Sequence, residues 1–464
     1  EAFEDGSRVL CISDGVPIGS SENSQFDVAS SLKSVSKWYG YLDAPHRVPE
    51  FMRRAFTMLR TGHPGPVVLA VPDADGLYDE MADPYVPVKG WRSVPDPADI
   101  SAVADLLMKA NAPLVYAGEG VIYAGAEAEL KDLVEKLNLP VVSTLKAKGA
   151  FPEDHPLYVG VRGGQVEEYL ANCDLLFAVG SSLSPGRFSH GIPNAASKTI
   201  IHCNVDEVHI NKVYSTAQAL IGDARLSLQS LNSELASRDL SSIKTRSAVE
   251  AEVKAARDAG LAQYVSAMAS DDKPLNPYRV YAGLMDVLDP DKSFLTHESG
   301  NTRAQLSTVY RTTMSRGFLG WGNVSSLGFS LPATIAAKIS FPERQCVAVT
   351  GEAGLGYMFG NLEVPLRQKL GITIAHISNG GFAGYGPGFW GDGHDPYTHK
   401  VMGYDEIDMS RVIGGLGYHT ERVTEPSEIT PALQRAFAAN EEGQPSYIEF
   451  VCSQYPVYGR WVSK

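Results

Sequence analysis

The sequence predicts an α/β protein made of three doubly wound parallel-sheet domains. Three observations carry that expectation: continuous apolar runs of strand length recur along the chain, helical patterns separate them, and glycine-rich turns follow several of them. Apolar runs without polar alternation suit strands that are buried on both faces, as in a parallel sheet covered by helices.

In the first block a strand at Val9 to Ile12 leads to a short strand near Ser34 to Trp38, a helix over about Pro49 to Thr61 and a strand at Val67 to Val71. The polar, Pro-rich stretch from Asp75 to Asp96 reads as a linker. The second block has helix Pro97 to Asn111, strand Leu114 to Ala117, helix Ala124 to Leu137, strands Val141 to Thr144, Leu175 to Val179 and Thr199 to Asn204, and a helix through Leu226 to Leu235. Ala236 to Pro274, charged and rich in Ser and Ala, reads as a helical connector, and Tyr278 to Leu288 opens a third block that runs to Phe450. The expected domains are residues 1–80, 97–235 and 275–455.

A formal net charge of -14 argues against a nucleic-acid or anionic-membrane surface, both of which are gripped through clustered Lys and Arg. Cys11, Cys173, Cys203, Cys346 and Cys452 lack CxxC spacing, so they suggest neither a zinc site nor a disulfide framework, and a reducing, cytoplasmic setting is expected. No stretch approaches 18 uninterrupted apolar residues. Residue 1 is Glu, and Glu1 to Gly6 reads as the last turn of a helix entering the strand Arg8 to Ile12, so further residues upstream are expected.

The most informative pattern is Gly351-Glu352-Ala353, after the apolar run Cys346 to Thr350, followed 27 positions beyond Glu352 by Asn379-Gly380-Gly381 after the run Ile372 to Ile377. A hard cation such as Mg²⁺ takes oxygen ligands and binds few protein groups plus the phosphates of its partner, so a carboxylate, an amide oxygen and a backbone carbonyl would suit it. Both turns sit at strand ends, the edge of an open parallel sheet where ligands dock. Asn361 to Leu370, between them, reads as one helix. A second Gly-Asp-Gly, Gly391 to Gly393, has no apolar run before it, and 27 positions after Asp392 stands His419, so it reads as a loop.

These residues resemble the thiamine-diphosphate signature, Gly-Asp-Gly followed at a fixed interval by Asn-x-Gly, with Glu352 and Ala353 replacing the Asp and the second Gly. The order of blocks resembles the acetolactate synthase-like branch of that superfamily, whose pyrimidine-binding, central and diphosphate-binding domains follow one another; the first would here be partial. The resemblance implies thiamine diphosphate and Mg²⁺ as cofactors, with Glu352, Asn379 and the Gly381 carbonyl as metal ligands. It also implies diphosphate contacts from Gly300 and Asn301, in the polar turn His297 to Thr302, and cofactor contacts from Gly351, Ala353, Gly354 and Phe382. Within Trp321 to Phe329, Leu327 matches the aliphatic residue that bends the cofactor, and the Ser325 carbonyl would accept a hydrogen bond from the pyrimidine amino group; many relatives have Gly at the latter position. The Glu that relays deprotonation in the family would lie upstream of residue 1, so the catalytic residue is unassigned.

The resemblance further places Asn23, Ser24 and Gln25 toward the active centre, makes Phe382 to Asp395 a candidate lid or subunit contact, and allows FAD or ADP in the central block at Gly118-Glu119-Gly120, Arg162 and Asp206. It implies a homodimer or homotetramer with active sites between subunits, acting on small carbonyl compounds. A dinucleotide reading of the Gly351 turn fails because G-x-G-x-x-G breaks at Phe359. The function expected is 2-oxo acid decarboxylation or carboligation. An acyl-CoA-cleaving lyase of the oxalyl-CoA or 2-hydroxyacyl-CoA type and a catalytically inactive regulatory homologue remain as alternatives.

Overall fold

The computed structural model describes residues 1–16, 27–72, 77–186, 189–321, 324–381 and 407–453. Asn23, Ser24, Gln25, Phe382, the 382–395 segment and the Gly391 to Gly393 turn lie outside these residues.

Three parallel sheets organise the chain. The first, in the order β1-β3-β2, joins Leu10–Gly15, Val67–Pro72 and Trp38–Tyr41. The second contains β4 (Pro113–Ala117), β5 (Val141–Ser143), β6 (Tyr158–Gly160), β7 (Leu175–Val179), β8 (Thr199–Asn204) and β9 (Gln218–Ile221), in the order β6-β5-β4-β7-β8-β9. The third contains β10 (Ser293–His297), β11 (Phe318–Leu319), β12 (Gln345–Thr350), β13 (Ile372–Ser378), β14 (His419–Val423) and β15 (Ser446–Val451), in the order β11-β10-β12-β13-β15-β14. In this sheet the chain leaves β10 toward one edge for β11, then crosses to the other side for β12. The crevice beyond the carboxyl ends of β10 and β12 is therefore where such a sheet admits a ligand.

Local chemistry explains the regular elements. The inner strands β12 and β13 are buried along nearly their whole length, which is why they read as unbroken apolar runs. Helix Val48–Arg60 turns Phe51, Ala55 and Leu59 toward the first sheet, spaced one turn apart. Helices Pro97–Lys109 and Pro277–Val287 each begin with a proline behind a capping side chain: Asp96 accepts from Ala98 N at 2.8 Å and Asn276 from Tyr278 N at 3.0 Å.

Several expected elements differ. The strand expected near Ser34 is a 3₁₀ turn, Lys33–Val35, and the strand starts at Trp38. The helix expected over Ala124 to Leu137 is two, Gly120–Ala124 and Glu127–Leu137, parted by left-handed Gly125. Asn361 to Leu370 is not one helix. Helix Glu352–Met358 passes through a 3₁₀ turn, Phe359–Asn361, with Gly360 in it, into the short helix Glu363–Arg367, whose first turn accommodates Pro365. Glu1 to Gly6 forms a turn, with Asp5 N donating to Glu1 O at 2.9 Å, and the strand begins at Leu10. Edge strands β6, β9 and β11 were absent from the expectation; each has four residues or fewer.

Among the described residues no helix is long and apolar enough to cross a membrane. All five cysteines are free thiols.

Candidate functional site

The turns after β10, β12 and β13 meet in one cradle. Gly351 follows β12, and Glu352 is the first residue of helix Glu352–Met358. Its Oε1 accepts from Asn379 N at 2.5 Å and from Gly380 N at 2.8 Å, so the carboxylate bridges to the turn after β13. Asn379 Oδ1 accepts from Gly381 N at 3.3 Å, which closes that turn on itself. Burial pushes the Glu352 carboxyl above its usual range, the two amides pull it back, and the Glu449 carboxylate on β15 adds to the rise.

The turn after β10 is built on Glu298, which is fully buried. Its Oε1 accepts from Ser299 N at 3.0 Å, and its Oε2 accepts from Phe329 N, Ser330 N and Ser330 Oγ, each at 3.1 Å. One carboxylate thus ties the β10 turn to the start of helix Ser330–Ser340. Gly300, with φ of +99°, caps helix Asn301–Val309. Positive φ at this turn favours glycine. A Cβ built on Gly300 or on Gly351 would meet no atom of the described residues within 4 Å, so among them open space lies beside both strand ends.

His297, the last residue of β10, stacks on Trp321 at 6.0 Å between ring centres, and Trp321 Nε1 donates to His297 O at 2.9 Å. Burial holds the His297 imidazole down at about 3, so it is neutral at ordinary pH.

The donor set suits a diphosphate tied down by a divalent cation. Open space beside Gly300 and Gly351 is the kind of room phosphate oxygens need. A buried carboxylate facing a diphosphate would repel it, and a cation between them reverses that sign.

Two family descriptions match the sequence: "Thiamine pyrophosphate enzyme, central domain" over residues 100–231, and "Thiamine pyrophosphate enzyme, C-terminal TPP binding domain" over residues 298–450. The chain belongs to the thiamine pyrophosphate enzymes.

Its relatives lie in the acetolactate synthase-like branch of these enzymes. A protein named probable acetolactate synthase large subunit, from Methanocaldococcus jannaschii, is 29% identical over 465 residues, covering 95% of this chain and 76% of that protein. An acetolactate synthase large subunit from Corynebacterium glutamicum is 27% identical, covering 94% of this chain and 70% of its own length. A glyoxylate carboligase from Escherichia coli O157:H7 is 25% identical, with 94% and 76% covered. As a thiamine pyrophosphate enzyme of this branch, the protein carries out thiamine-diphosphate-dependent chemistry on carbon–carbon bonds.

The structure brings Gly300, Asn301, Gly351, Glu352, Ala353, Gly354, Asn379 and Gly381 to the carboxyl edge of the third sheet. Ser325 and Leu327 lie on the segment entering helix Ser330–Ser340 and are half-buried.

Sequence reasoning placed Glu298 and His297 only within the polar turn His297 to Thr302, yet both are fully buried. It missed Arg303 and Glu449 altogether. Arg303 Nη1 donates to Ser325 Oγ at 2.9 Å. Glu449 accepts from Ser378 Oγ at 3.2 Å and Ser410 N at 3.0 Å. A charged residue inside an otherwise apolar strand, as in Tyr447-Ile448-Glu449-Phe450, was the one available signal.

The central-sheet residues named as possible nucleotide contacts make contacts of their own. Arg162 reaches helix Asn301–Val309, with Nη1 at 3.4 Å from Ser307 Oγ, and Asp206 caps the turn Glu207–His209 by accepting from Val208 N at 3.0 Å. Gly118 and Gly120 serve close packing, because a Cβ on Gly118 would stand 2.4 Å from Gly180 O. A cavity of about 590 Å³ beside them is lined by His63, Glu119, Gly120, Gly180, His209 and Lys212.

Proposed function

We propose that the protein is a thiamine-diphosphate- and Mg²⁺-dependent 2-oxo acid decarboxylase or carboligase of the acetolactate synthase type. The observation that carries this reading is the meeting of Glu352 with the Asn379 to Gly381 turn at the crossover edge of the third sheet. Glu352, Asn379 Oδ1 and the Gly381 carbonyl would hold the metal. Gly300, Asn301, Gly351, Ala353 and Gly354 would face the diphosphate, the Ser325 carbonyl would receive the pyrimidine amino group, and the Leu327 side chain would keep the cofactor bent. When bound, the cofactor supplies an electron sink for the carbanion left as a carbon–carbon bond breaks. The protein's own residues bind it, orient it and keep water away.

The names of the relatives, acetolactate synthase large subunit and glyoxylate carboligase, support a small 2-oxo acid as substrate. A homodimer or homotetramer in the cytoplasm belongs to the same reading. A flavin at the central-domain cavity would add a yellow absorbance to the purified protein, and its lack would leave thiamine diphosphate as the organic cofactor of the proposal.

Calorimetry with thiamine diphosphate, with and without Mg²⁺, combined with CO₂ release from pyruvate and from glyoxylate, tests the proposal. Metal-dependent binding with CO₂ release is expected. Lack of binding would overturn it, and release from oxalyl-CoA alone would move the assignment to the acyl-CoA-cleaving class.

A further inference from the structure

Ser325 holds a φ of +70°, in the left-handed region that side chains other than Gly, Asn and Asp seldom occupy. Its hydroxyl is gripped from two sides. Arg303 Nη1 donates to Ser325 Oγ at 2.9 Å, and Ser299 Oγ lies 2.5 Å away. A guanidinium only donates, so Ser325 Oγ accepts from Arg303, and either hydroxyl can donate in its bond with Ser299. Arg303 is 6% exposed, which keeps this charge-assisted bond out of competition with water.

Both partners flank the Gly300-Asn301 turn, with Ser299 before it and Arg303 in the first turn of helix Asn301–Val309. Four and five residues beyond Ser325, Phe329 N and Ser330 N are held by Glu298 Oε2. The segment carrying Leu327 is therefore pinned at both ends to the β10 turn. At one end two backbone amides and the Ser330 hydroxyl reach the Glu298 carboxylate, at the other the hold depends on the Ser325 hydroxyl, and between them Ser326 N and Oγ donate to Glu1 Oε2.

We propose that Arg303 is a positioning residue for the cofactor: through the Ser325 hydroxyl it holds the left-handed turn that sets the Ser325 carbonyl and the Leu327 side chain in the cradle. The inference rests on the thiamine-diphosphate reading above. Without the tether, serine relaxes toward ordinary backbone angles and the binding-competent segment is populated only part of the time. A glycine at 325 reaches the same angles with no tether.

The test is a double-mutant cycle on thiamine diphosphate affinity, measured by calorimetry at saturating Mg²⁺, with thermal midpoints recorded for each protein. Arg303→Met is expected to weaken binding on the order of 10-fold, the size of a left-handed serine's penalty acting through the competent fraction. Ser325→Gly alone completes the cycle, and Ser325→Gly on the Arg303→Met background should recover most of the loss. Recovery supports the proposal, because lost packing at Arg303 would not be repaired by removing a further side chain beside it. Parent-like binding by Arg303→Met overturns it, as does a double variant no tighter than Arg303→Met. If Arg303→Met does not fold, Arg303→Lys replaces it, with a smaller loss that Ser325→Gly must likewise repair for the proposal to stand. A parent protein that binds no thiamine diphosphate with Mg²⁺ removes the reading beneath it, an outcome separate from parent binding without any effect at Arg303.

Discussion

Glu298 and Gly354 interlock: a Cβ on Gly354 would stand 2.1 Å from Glu298 Cγ and 2.8 Å from its Cδ. The carboxylate that holds Phe329 and Ser330 thus passes through the space that a side chain on helix Glu352–Met358 would fill. The two residues follow neighbouring parallel strands, β10 and β12, so their contact sets the separation of the two turns that flank the cradle.

Gly354→Ala should therefore be costly out of proportion to one methyl group. Overpacking at a buried contact of this kind destabilises by about 1–3 kcal/mol. Denaturant unfolding should show a lower midpoint at unchanged slope, and an unchanged midpoint would mean that the Glu298 turn yields freely.

Lys148 and Glu153 form a fully buried pair, with Nζ at 2.6 Å from Oε2, and the same Nζ donates to Tyr310 O at 2.8 Å. Burial lowers the Lys148 ammonium pKa, with Glu153 opposing that shift. Lys148→Met leaves the Glu153 charge without its cation, held only by Tyr158 OH at 3.0 Å and Thr312 N at 3.2 Å, and should destabilise by about 3–5 kcal/mol, whereas adding Glu153→Leu should restore part of the loss. With Glu153→Leu also measured alone, a double-variant cost equal to the sum of the two single costs would show that the pair is not coupled.

Glu352→Ala should weaken Mg²⁺-dependent thiamine diphosphate binding by at least on the order of 100-fold, since a ligand is lost along with its hold on the Asn379 and Gly380 amides. Glu352→Asp, which keeps the charge on a shorter arm, should retain metal-dependent binding. Calorimetry at several Mg²⁺ concentrations separates the two outcomes, and unchanged affinity of the alanine variant would remove Glu352 from the metal site.

Acid should destabilise the fold through its buried histidines. Burial depresses His297 and His376 to about 3 and His190 to about 4. The folded protein therefore binds fewer protons than the unfolded chain, which titrates near about 6.5, and stability is full above that value and falls as pH drops toward the folded values. His376 Nδ1 lies 2.6 Å from Tyr447 OH, so glutamine offers a comparable acceptor. His376→Gln should flatten the slope of unfolding free energy between about pH 4 and 6 by roughly one proton. An unaltered slope would mean that His376 does not titrate on unfolding.

Legibility followed burial and spacing. Strands Leu175–Val179, Thr199–Asn204 and Gln345–Thr350 stood out because both their faces are covered and their apolar runs are unbroken. Strands β6, β9 and β11 did not, since short edge pairings draw their stability from one neighbour rather than from an apolar run. Glu352 and Asn379 were legible as a pair because each follows such a run. The reach of Arg162 to Ser307 Oγ was not, because 145 residues separate the two partners and no local pattern records a contact of that kind.

From residue order alone came the α/β class, the ends of parallel strands as the place for a ligand, and the two turns that stand there. Those are consequences of local periodicity and of strand ends, which the chain carries in its own pattern. Only folding in three dimensions decided that one buried carboxylate, Glu298, would join two turns, that Gly354 must stay bare beside it, and that Ser325 would be held left-handed by Arg303. These are contacts between segments distant in sequence, and a buried polar group takes whichever partner the packing leaves within reach.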